Sequence, residues 1–363
     1  MRINLIQGAF HPVPALTGGA VEKIWDALAN EWARQGHRVH HVSRAYPGLP
    51  AREELHDGRL VRVRVRGYES VSNMRRRLTL DLLYSVRARR AVGEADATLT
   101  NTFWLPLLGL PRRAGRPCLS AHRMPHGQYR TYRRDGWWAH AVSSAVREAI
   151  VREAPWFADR SFVVGNPLDE AWFGESKPWM ERDPLSGIYV GRLHPEKRVD
   201  RAIRALLEAE AEGLSPCRLD VVGSHAAAHG GGGEEYLESL RRLAGGRPWV
   251  RFHGFVREPE RLRSLYRESR FAFYLVDPTG AEAFGLSVLE AMACGCVPVV
   301  STHPCFSDFV EDGRSGIVLA DGKRVAMEWW EGSAPLAREA RATAEGYRVD
   351  HIATELADRL ATS

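Results

Sequence analysis

Strand-like and helix-like segments alternate along nearly the whole chain, and this alternation constrains the fold more than any other feature of the sequence. Near the beginning, an apolar run at residues 3–6 is followed by a turn-rich segment, an amphipathic helical pattern that ends at Gly36, and the strand-like run HRVHHVS. The same order returns at residues 187–193, GIYVGRL, which precede the helical pattern VDRAIRALLEAEAEG and the run CRLDVVG. Repeated strand–helix–strand units form parallel sheets covered by helices. The sequence therefore predicts an α/β protein with two Rossmann-like domains, whose ligands gather at the carboxyl ends of the strands.

Length and composition agree with a globular protein of this class. A chain of 363 residues is long enough for two domains, and 44% hydrophobic and 26% charged residues are ordinary values. The first ten residues do not resemble a signal peptide, and no apolar run approaches the roughly 20 residues that span a bilayer. Five cysteines without C-x-x-C spacing favour a reduced cytoplasm over a disulfide framework or a zinc site. The cysteines are Cys118, Cys217, Cys294, Cys296 and Cys305.

Arginine carries most of the positive charge. The formal net charge is +5, and the only lysines are Lys23, Lys177, Lys197 and Lys323. An arginine-rich surface attracts phosphates, nucleotides or an acidic membrane face. Residues 75–90 mix leucines and arginines at helical spacing, which favours a solvated amphipathic helix over a helix that contacts an anionic membrane. Residues 60–68, LVRVRVRGY, alternate apolar residues with arginines and predict a half-buried strand.

Residues 277–301 carry two carboxylates, Glu282 and Glu290, on either side of the segment AFGLSVL. A helix that begins near Phe284 and Gly285 would place Glu282 just before its first turn and Glu290 on its inner flank. The free N–H groups of the helix start suit an anion such as a phosphate, and a carboxylate on the flank can accept hydrogen bonds from a diol such as a ribose. The alternative is a buried helix with two capping or solvent-facing glutamates.

Two basic residues follow the first strand of the second half. Arg192 and Lys197 are five residues apart in GRLHPEK, directly after the strand predicted at residues 188–190. A folded loop could aim both cations at one diphosphate, although a surface Arg/Lys pair is a common alternative.

Glycines and histidines mark further candidate positions. Gly18 and Gly19 begin the first amphipathic helix, where backbone N–H groups can approach a ligand closely. His122 follows a strand-like run and either contacts a ligand or orders its loop. His225 and His229 have metal-ligand spacing, but the adjacent glycine run favours a mobile loop instead. That run lacks the Lys-Ser/Thr of a P-loop, so an ATPase is not supported.

These motifs, in this order, resemble the donor-site signature of retaining glycosyltransferases of the GT4 family. The matching motifs are the Gly-Gly helix start, the Gly-Arg-x-x-x-x-Lys of residues 191–197 and the Glu-x-Phe-Gly…Glu of residues 282–290. The resemblance spans nearly the whole chain and implies the GT-B fold, in which two Rossmann-like domains face each other across a cleft. It implies an acceptor domain at residues 1–169, a donor domain at 170–340, and a C-terminal helix at 341–363 that crosses back onto the first domain.

The resemblance also implies roles for the candidate residues. Arg192 and Lys197 would neutralise the leaving nucleoside diphosphate, and Glu282 would bind sugar hydroxyls. Catalytic roles fall to His122, Arg192, Lys197 and Glu282. Donor-binding roles fall to Gly18, Gly19, Arg192, Lys197, Glu282, Phe284, Gly285, Leu286 and Glu290, with no metal ligand and no cofactor besides the nucleoside-diphosphate sugar as co-substrate.

The expected activity is metal-independent, retaining transfer of a sugar from a nucleoside-diphosphate sugar to an acceptor hydroxyl. The acceptor is a small metabolite or a lipid-linked or cell-envelope glycan, and UDP, GDP and dTDP are not distinguished. A nucleotide-sugar epimerase and a non-catalytic nucleotide-sugar-binding protein are the alternatives. The expected location is the cytoplasm, with peripheral contact at the inner membrane face as a further alternative. Residues 166–169 (NPLD) and 303–305 (HPC) depart from the family pattern, and so does Asp308, which replaces the usual Glu. These departures leave the identity of the sugar open.

Overall fold

The computed structural model describes residues 1–17, 19–69, 73–132, 136–215, 217–320 and 332–362. The chain forms two compact units. The first unit contains Met1–Pro167 and Arg348–Ser363, and the second contains Leu168–Tyr347. Gly18 lies outside the described residues, so its predicted role receives no structural description.

The secondary structure follows the predicted alternation. The strands are β1 (Arg2–Ile6), β2 (Arg38–Arg44), β3 (Arg52–Leu55), β4 (Leu60–Val65), β5 (Ala97–Thr100), β6 (Arg116–Ala121), β7 (Trp138–Ala141), β8 (Ser161–Val163), β9 (Ser186–Val190), β10 (Arg218–Val222), β11 (Val250–Gly254), β12 (Phe271–Tyr274), β13 (Val297–Ser301) and β14 (Ile317–Leu319). The helices are α1 (Ala20–Arg34), α2 (Met74–Ala91), α3 (Leu105–Leu108), α4 (Ser144–Glu153), α5 (Val199–Ala211), α6 (Gly233–Ala244), α7 (Pro259–Glu268), α8 (Leu286–Ala293), α9 (Ala334–Glu345) and α10 (Val349–Thr362). No helix in the described ranges is long and apolar enough to cross a membrane.

Each unit is built on one sheet. The first has eight strands in the order β3-β4-β2-β1-β5-β6-β7-β8, and the second has six in the order β11-β10-β9-β12-β13-β14. Neighbouring strands run parallel, except for the antiparallel pair β3–β4. Every residue of β5, β10 and β13 is buried, as expected of parallel strands covered on both faces. The predicted α/β class with two Rossmann-like sheets is confirmed.

The C-terminal segment differs in detail from the single helix predicted at residues 341–363. It contains two helices, α9 and α10, and the boundary between the two units falls between Tyr347 and Arg348. Only α10 belongs to the first unit, where the indole Nε1 of Trp32 on α1 donates a hydrogen bond of 2.7 Å to the carbonyl oxygen of Ala353. The other boundary falls after Pro167, two residues before the predicted position.

Strand β4 buries its arginines, which the alternating pattern did not indicate. Arg62 and Arg64 have side chains that are 6% and 0% exposed, and they alternate with half-buried valines. Both guanidinium groups pair with Glu53 of β3, and Arg62 also pairs with Asp26 of α1. Strand β3 was not predicted at all, because the sequence REEL is polar, as edge strands often are.

Arg64 also holds the loop that follows β1. Its Nε and Nη2 atoms donate hydrogen bonds of 3.2 and 3.0 Å to the carbonyl oxygen of Val13. Its Nη1 donates one of 2.7 Å to the carbonyl oxygen of Pro50. A buried guanidinium is tolerated here because carbonyl and carboxylate oxygens surround it.

We expect Arg64→Met to lower the free energy of unfolding by about 3 kcal/mol or more, because it leaves two buried carbonyl oxygens without their partner and Glu53 with Arg62 alone. Urea denaturation measures the change. The matched control is Arg52→Met, which removes an exposed pair with Glu54 whose side chains are 61% and 55% exposed. That control should cost less than about 1 kcal/mol. Equal losses in the two variants would contradict a structural role for the buried arginine.

Candidate functional site

The predicted donor residues lie on two adjacent strand ends of the second unit. Strands β9 and β12 pair in parallel, so the loops that follow them leave the same edge of the sheet. The loop after β9 carries Arg192 and Lys197, and the loop after β12 carries Glu282. The fold thereby brings together residues that are 85 positions apart in the sequence.

The carboxylate of Glu282 lies at the start of helix α8. Its Oε1 atom accepts hydrogen bonds from the backbone N–H groups of Ala283, Phe284 and Gly285, at 3.2, 3.4 and 3.2 Å. The amides of Phe284 and Gly285 are two of those predicted to hold a phosphate or sugar, and the third belongs to Leu286, the first residue of the helix. In this structure the anion at the helix start is therefore the chain's own carboxylate.

Gly285 makes this turn possible. Its φ is 84°, in the left-handed region, and a Cβ atom there would lie 2.6 Å from the ring of Phe306. Any other residue would be strained and would collide with that ring. The glycine in the Phe-Gly dipeptide is thus required by the backbone that surrounds the Glu282 carboxylate.

The second oxygen of Glu282 accepts two side-chain hydrogen bonds. Lys197 Nζ lies 2.8 Å from Oε2, and the hydroxyl of Tyr274 donates to the same atom at 2.9 Å. The side chains of Lys197 and Glu282 are each only 14% exposed. Burial raises the pKa of Glu282, but the charge of Lys197 and these hydrogen bonds outweigh it, so the pKa lies below its usual value. Glu282 is therefore a largely buried, ionised carboxylate at neutral pH.

Arg192 and Lys197 have separate partners. Arg192 Nη2 pairs with Glu196 Oε1 at 2.6 Å, and Nη1 donates to the carbonyl oxygen of Gly230 at 2.7 Å. The Arg192 side chain is 45% exposed, whereas Lys197 is nearly buried against Glu282. The two cations of the predicted diphosphate clamp are thus in one loop but engaged in different ion pairs. Glu290, the other predicted carboxylate, is half-buried on α8.

Among the described residues, the predicted site residues of the first unit are Gly19 and His122. Gly19 precedes α1 with a φ of 103°, and a Cβ atom there would lie 2.0 Å from Oε2 of Glu22. The backbone at this helix start therefore requires glycine, and the nearest anionic group is again one of the chain's own carboxylates. The sequence interpretation assigned no role to Glu22, although an acidic residue in the first turn of a helix is a recognisable signal.

His122 is part of a closed hydrogen-bond network. Trp25 Nε1 donates to His122 Nε2 at 2.9 Å, so that nitrogen carries no proton, and Nδ1 lies 3.2 Å from Oδ1 of Asn166. The Ser120 hydroxyl connects His122 to His140, with both nitrogen–oxygen distances at 2.9 Å. Burial, and then the neighbouring His140, lower the pKa of His122 to about 3. The imidazole is neutral at pH 7 and has both ring nitrogens engaged within the first unit.

Residues 303–305, where the sequence departs from the family pattern, give the site an additional internal contact. His303 Nε2 lies 3.1 Å from the carbonyl oxygen of Gly280, in the loop before Glu282. Its Nδ1 accepts a hydrogen bond of 3.2 Å from the backbone N–H of Cys305. The buried imidazole thus connects the loops that follow β12 and β13.

Other sequence candidates have structural partners of their own. His225 Nε2 lies 3.0 Å from Glu234 Oε2, and His229 Nδ1 lies 3.1 Å from the hydroxyl of Ser224. All five cysteines are free thiols. Tyr189 and Tyr274 were missed by the sequence interpretation, although each is an aromatic residue at or near the carboxyl end of a buried strand.

We expect acid to remove the stabilisation that Glu282 provides. Because its pKa lies below the ordinary value of 4.5, the unfolded chain takes up a proton first as the pH falls below that value. The free energy of unfolding of wild type should therefore exceed that of Glu282→Gln by less and less as the pH falls below 5. Urea denaturation at each pH measures this difference. The control Glu235→Gln removes an exposed carboxylate on α6 and should keep a nearly constant offset. An advantage that grows in acid would contradict an ionised Glu282.

Comparison with known proteins gives sequence similarity over part of the chain. The family described as Glycosyl transferases group 1 matches residues 178–329, which is less than half of the chain. D-inositol 3-phosphate glycosyltransferase 2 of Catenulispora acidiphila is 35% identical over 136 residues, covering 37% of this chain and 31% of that relative. D-inositol 3-phosphate glycosyltransferase of Rhodococcus erythropolis is 32% identical over 181 residues, covering 46% of this chain and 39% of that relative. The chain thus spans well under half the length of either relative.

Solved structures share the fold over the full chain. Anabaena Alr3699/HepE in complex with UDP has a TM-score of 0.74 and 18% identity, with 100% of both chains covered. AviGT4, a glycosyltransferase involved in avilamycin A biosynthesis, has a TM-score of 0.66 and 18% identity, with 100% of this chain and 99% of that chain covered. The second unit is thus similar to the family Glycosyl transferases group 1, and both units share the GT-B fold of the solved glycosyltransferases.

Proposed function

We propose that the protein transfers a glycosyl group from a nucleoside-diphosphate sugar to an acceptor hydroxyl. The observation that carries this proposal is the Glu282 carboxylate, held between Lys197 and the amides that immediately precede α8, at the carboxyl edge of the second sheet. This arrangement offers a cation, a helix start and an ionised acceptor group within one small region. Those are the groups that a sugar attached to a diphosphate requires.

Binding of the donor would redistribute the hydrogen bonds around Glu282. Its two oxygens already accept five hydrogen bonds, three from amides and two from Lys197 and Tyr274. A diphosphate carries more negative charge than one carboxylate and competes for the ammonium group of Lys197. When Lys197 turns to the phosphate, Oε2 gains a free lone pair that can accept a hydrogen bond from a sugar hydroxyl. Phosphate and sugar recognition would then be coupled through one lysine.

Arg192 would complete the diphosphate site. Its present partners, an exposed glutamate and a carbonyl oxygen, are weak competitors for a diphosphate. Departure of the diphosphate builds negative charge, and cations and helix amides directed at that charge lower the barrier by several kcal/mol. We therefore propose that the transfer requires no divalent metal and no protein nucleophile, and that it retains the anomeric configuration.

The remaining predicted residues receive narrower roles. Glu290 would accept hydrogen bonds from the ribose diol, from its half-buried position on α8. His122 is neutral and has both nitrogens engaged, which supports ordering of its loop rather than proton transfer. Gly19 would let the start of α1 approach a ligand, in competition with the carboxylate of Glu22.

We expect Lys197→Ala and Glu290→Ala each to weaken donor binding by about tenfold or more, because hydrogen bonds to charged groups contribute roughly 1.5–3 kcal/mol. Calorimetry with UDP, GDP, dTDP and their sugar conjugates, in the presence of a chelator, measures the dissociation constants. UDP is the first nucleotide to test, since the Anabaena neighbour was solved with it.

Lys177→Ala is the matched control, because it removes an exposed lysine of the same unit. It should bind donor as wild type does. Wild-type affinity in Lys197→Ala and Glu290→Ala would contradict the donor site, and binding that disappears with the chelator would contradict metal independence. Donor consumption that proceeds fully without any acceptor would favour hydrolysis or epimerisation instead. Binding without turnover of any donor would favour a non-catalytic protein.

We further propose that helix α2 contacts an anionic membrane surface, which suits a lipid-linked acceptor. Met74, Leu78 and Leu83 are 56%, 37% and 45% exposed, and they are interspersed with arginines. Met74 and Leu78 lie one helical turn apart beside basic groups, an arrangement that helices at a lipid interface also show.

The test is cosedimentation with phosphatidylglycerol vesicles and, separately, with phosphatidylcholine vesicles. Wild type should bind the anionic vesicles only, and Arg75→Glu with Arg76→Glu should abolish the binding because the charge of the first turn of the helix is reversed. The control carries Arg241→Glu and Arg242→Glu on α6 and should bind as wild type does. Equal binding by both double variants would contradict the role of α2 and leave a soluble acceptor as the better proposal.

A further inference from the structure

Two stacked tyrosines contact the two loops that form the candidate donor site. Tyr189 of β9 and Tyr274 of β12 stack with ring centroids 5.8 Å apart and an interplanar angle of 9°. Both are buried, at 1% and 6% exposure. The Tyr189 hydroxyl donates to the carbonyl oxygen of Arg192 at 3.1 Å, and the Tyr274 hydroxyl donates to Oε2 of Glu282 at 2.9 Å. Each ring thus supports one of the two loops that carry the charged residues.

The backbone next to the stacked tyrosines leaves no room for a side chain at position 191. A Cβ atom on Gly191 would lie 2.7 Å from the hydroxyl oxygen of Tyr189 and 3.5 Å from the ring of Tyr274. Glycine before Arg192 is therefore needed for the stacked arrangement. Ring stacking of this kind fixes both hydroxyls in position, since neither side chain can turn without disturbing the other.

Tyr274 differs from Lys197 in that its hydroxyl is held in place beside Glu282. Lys197 is flexible and is drawn toward a diphosphate, whereas Tyr274 is confined by burial and by its stacked neighbour. Once Lys197 turns away, the Tyr274 hydroxyl is the remaining side-chain donor to Oε2 among the described hydrogen bonds. A buried carboxylate that loses a cationic partner is costly unless other donors compensate.

We propose that Tyr274 is a positioning residue that keeps Glu282 ionised and oriented toward the sugar while Lys197 is engaged by the donor diphosphate. This inference rests on the proposed function and adds a residue to which that function assigns no role. The tyrosine acts through Glu282 and has no direct contact with the reacting atoms.

The protonation of Tyr274 agrees with this role. Burial and the nearby charge of Glu282 raise the pKa of Tyr274 well above its usual value. The phenol therefore keeps its proton at working pH and is always a hydrogen-bond donor. The amides of residues 283–285 face Glu282, and the titratable side chains near it are Lys197, Tyr274, Tyr189 and Cys305. Burial raises the pKa of both tyrosines and of the Cys305 thiol, so of these side chains only Lys197 is charged.

The test compares Tyr274→Phe with the matched variant Tyr189→Phe in the full chain. Both keep the stacked rings and lose one hydroxyl, but only Tyr274→Phe loses a donor to Glu282. Calorimetry with the nucleoside-diphosphate sugar that binds wild type should give a dissociation constant roughly ten- to a hundredfold higher for Tyr274→Phe. Thermal unfolding without nucleotide should be similar for the two variants, since Lys197 still pairs with Glu282 in the absence of donor.

The pH dependence of binding separates positioning from general damage. Glu282 must be ionised to bind the donor, so affinity is lost as the pH falls through its pKa. Without the Tyr274 hydroxyl this pKa rises, and the loss should begin at a higher pH. Tyr189→Phe should lose affinity at the same pH as wild type, because its hydroxyl contacts the Arg192 carbonyl and not Glu282.

Three outcomes are informative. The inference is supported if Tyr274→Phe alone has a raised dissociation constant and loses affinity at a higher pH than wild type. The inference is overturned, while the proposed function stands, in either of two cases. Tyr274→Phe binds as wild type does and loses affinity at the same pH, or both variants show the same shift in that pH. A wild-type protein that binds no nucleoside diphosphate or its sugar conjugates overturns the proposed function and this inference with it.

Discussion

The hydrogen bonding of the largely buried Glu282 carboxylate is the interaction on which the second unit's site depends. Removing an ionised group from water is costly, and the fold compensates with amides from the start of α8, the ammonium of Lys197 and the hydroxyl of Tyr274. Each donor comes from a different loop or strand end. The carboxylate therefore fixes the relative positions of the loops after β9 and β12. Gly285 provides the backbone conformation that lets the carboxylate approach the helix start.

A carboxylate also lies near a helix start in the first unit. Glu22 lies against Gly19 at the start of α1, much as Glu282 lies at the start of α8. Helix starts favour negative charge, and a resident carboxylate satisfies that preference within the chain itself. An incoming phosphate must then compete with an internal anion. Such competition favours ligands with more charge than a carboxylate, and a diphosphate is one of them.

Buried charge also organises the scaffold away from the site. Arg62 and Arg64 lie under α1 and hold Glu53, Asp26 and the loop that contains Val13. The alternating sequence of β4 does indicate a strand, but a period of two does not tell which of its faces is buried. That choice depends on partners contributed by α1 and β3, and β3 is too polar to be recognised as a strand from its sequence.

The sequence by itself determined the α/β class, the two Rossmann-like halves and the charged motifs, because local periodicity and short-range spacing are properties of contiguous residues. It also determined that Glu282 precedes a helix near Gly285. Only the tertiary structure decided which partner each charge receives. Lys197 pairs with Glu282 while Arg192 pairs with Glu196, because parallel pairing of β9 and β12 brings the loops of Lys197 and Glu282 together, and Tyr189 and Tyr274 meet for the same reason. Long-range pairing of this kind depends on strand order, which no local pattern in the sequence contains.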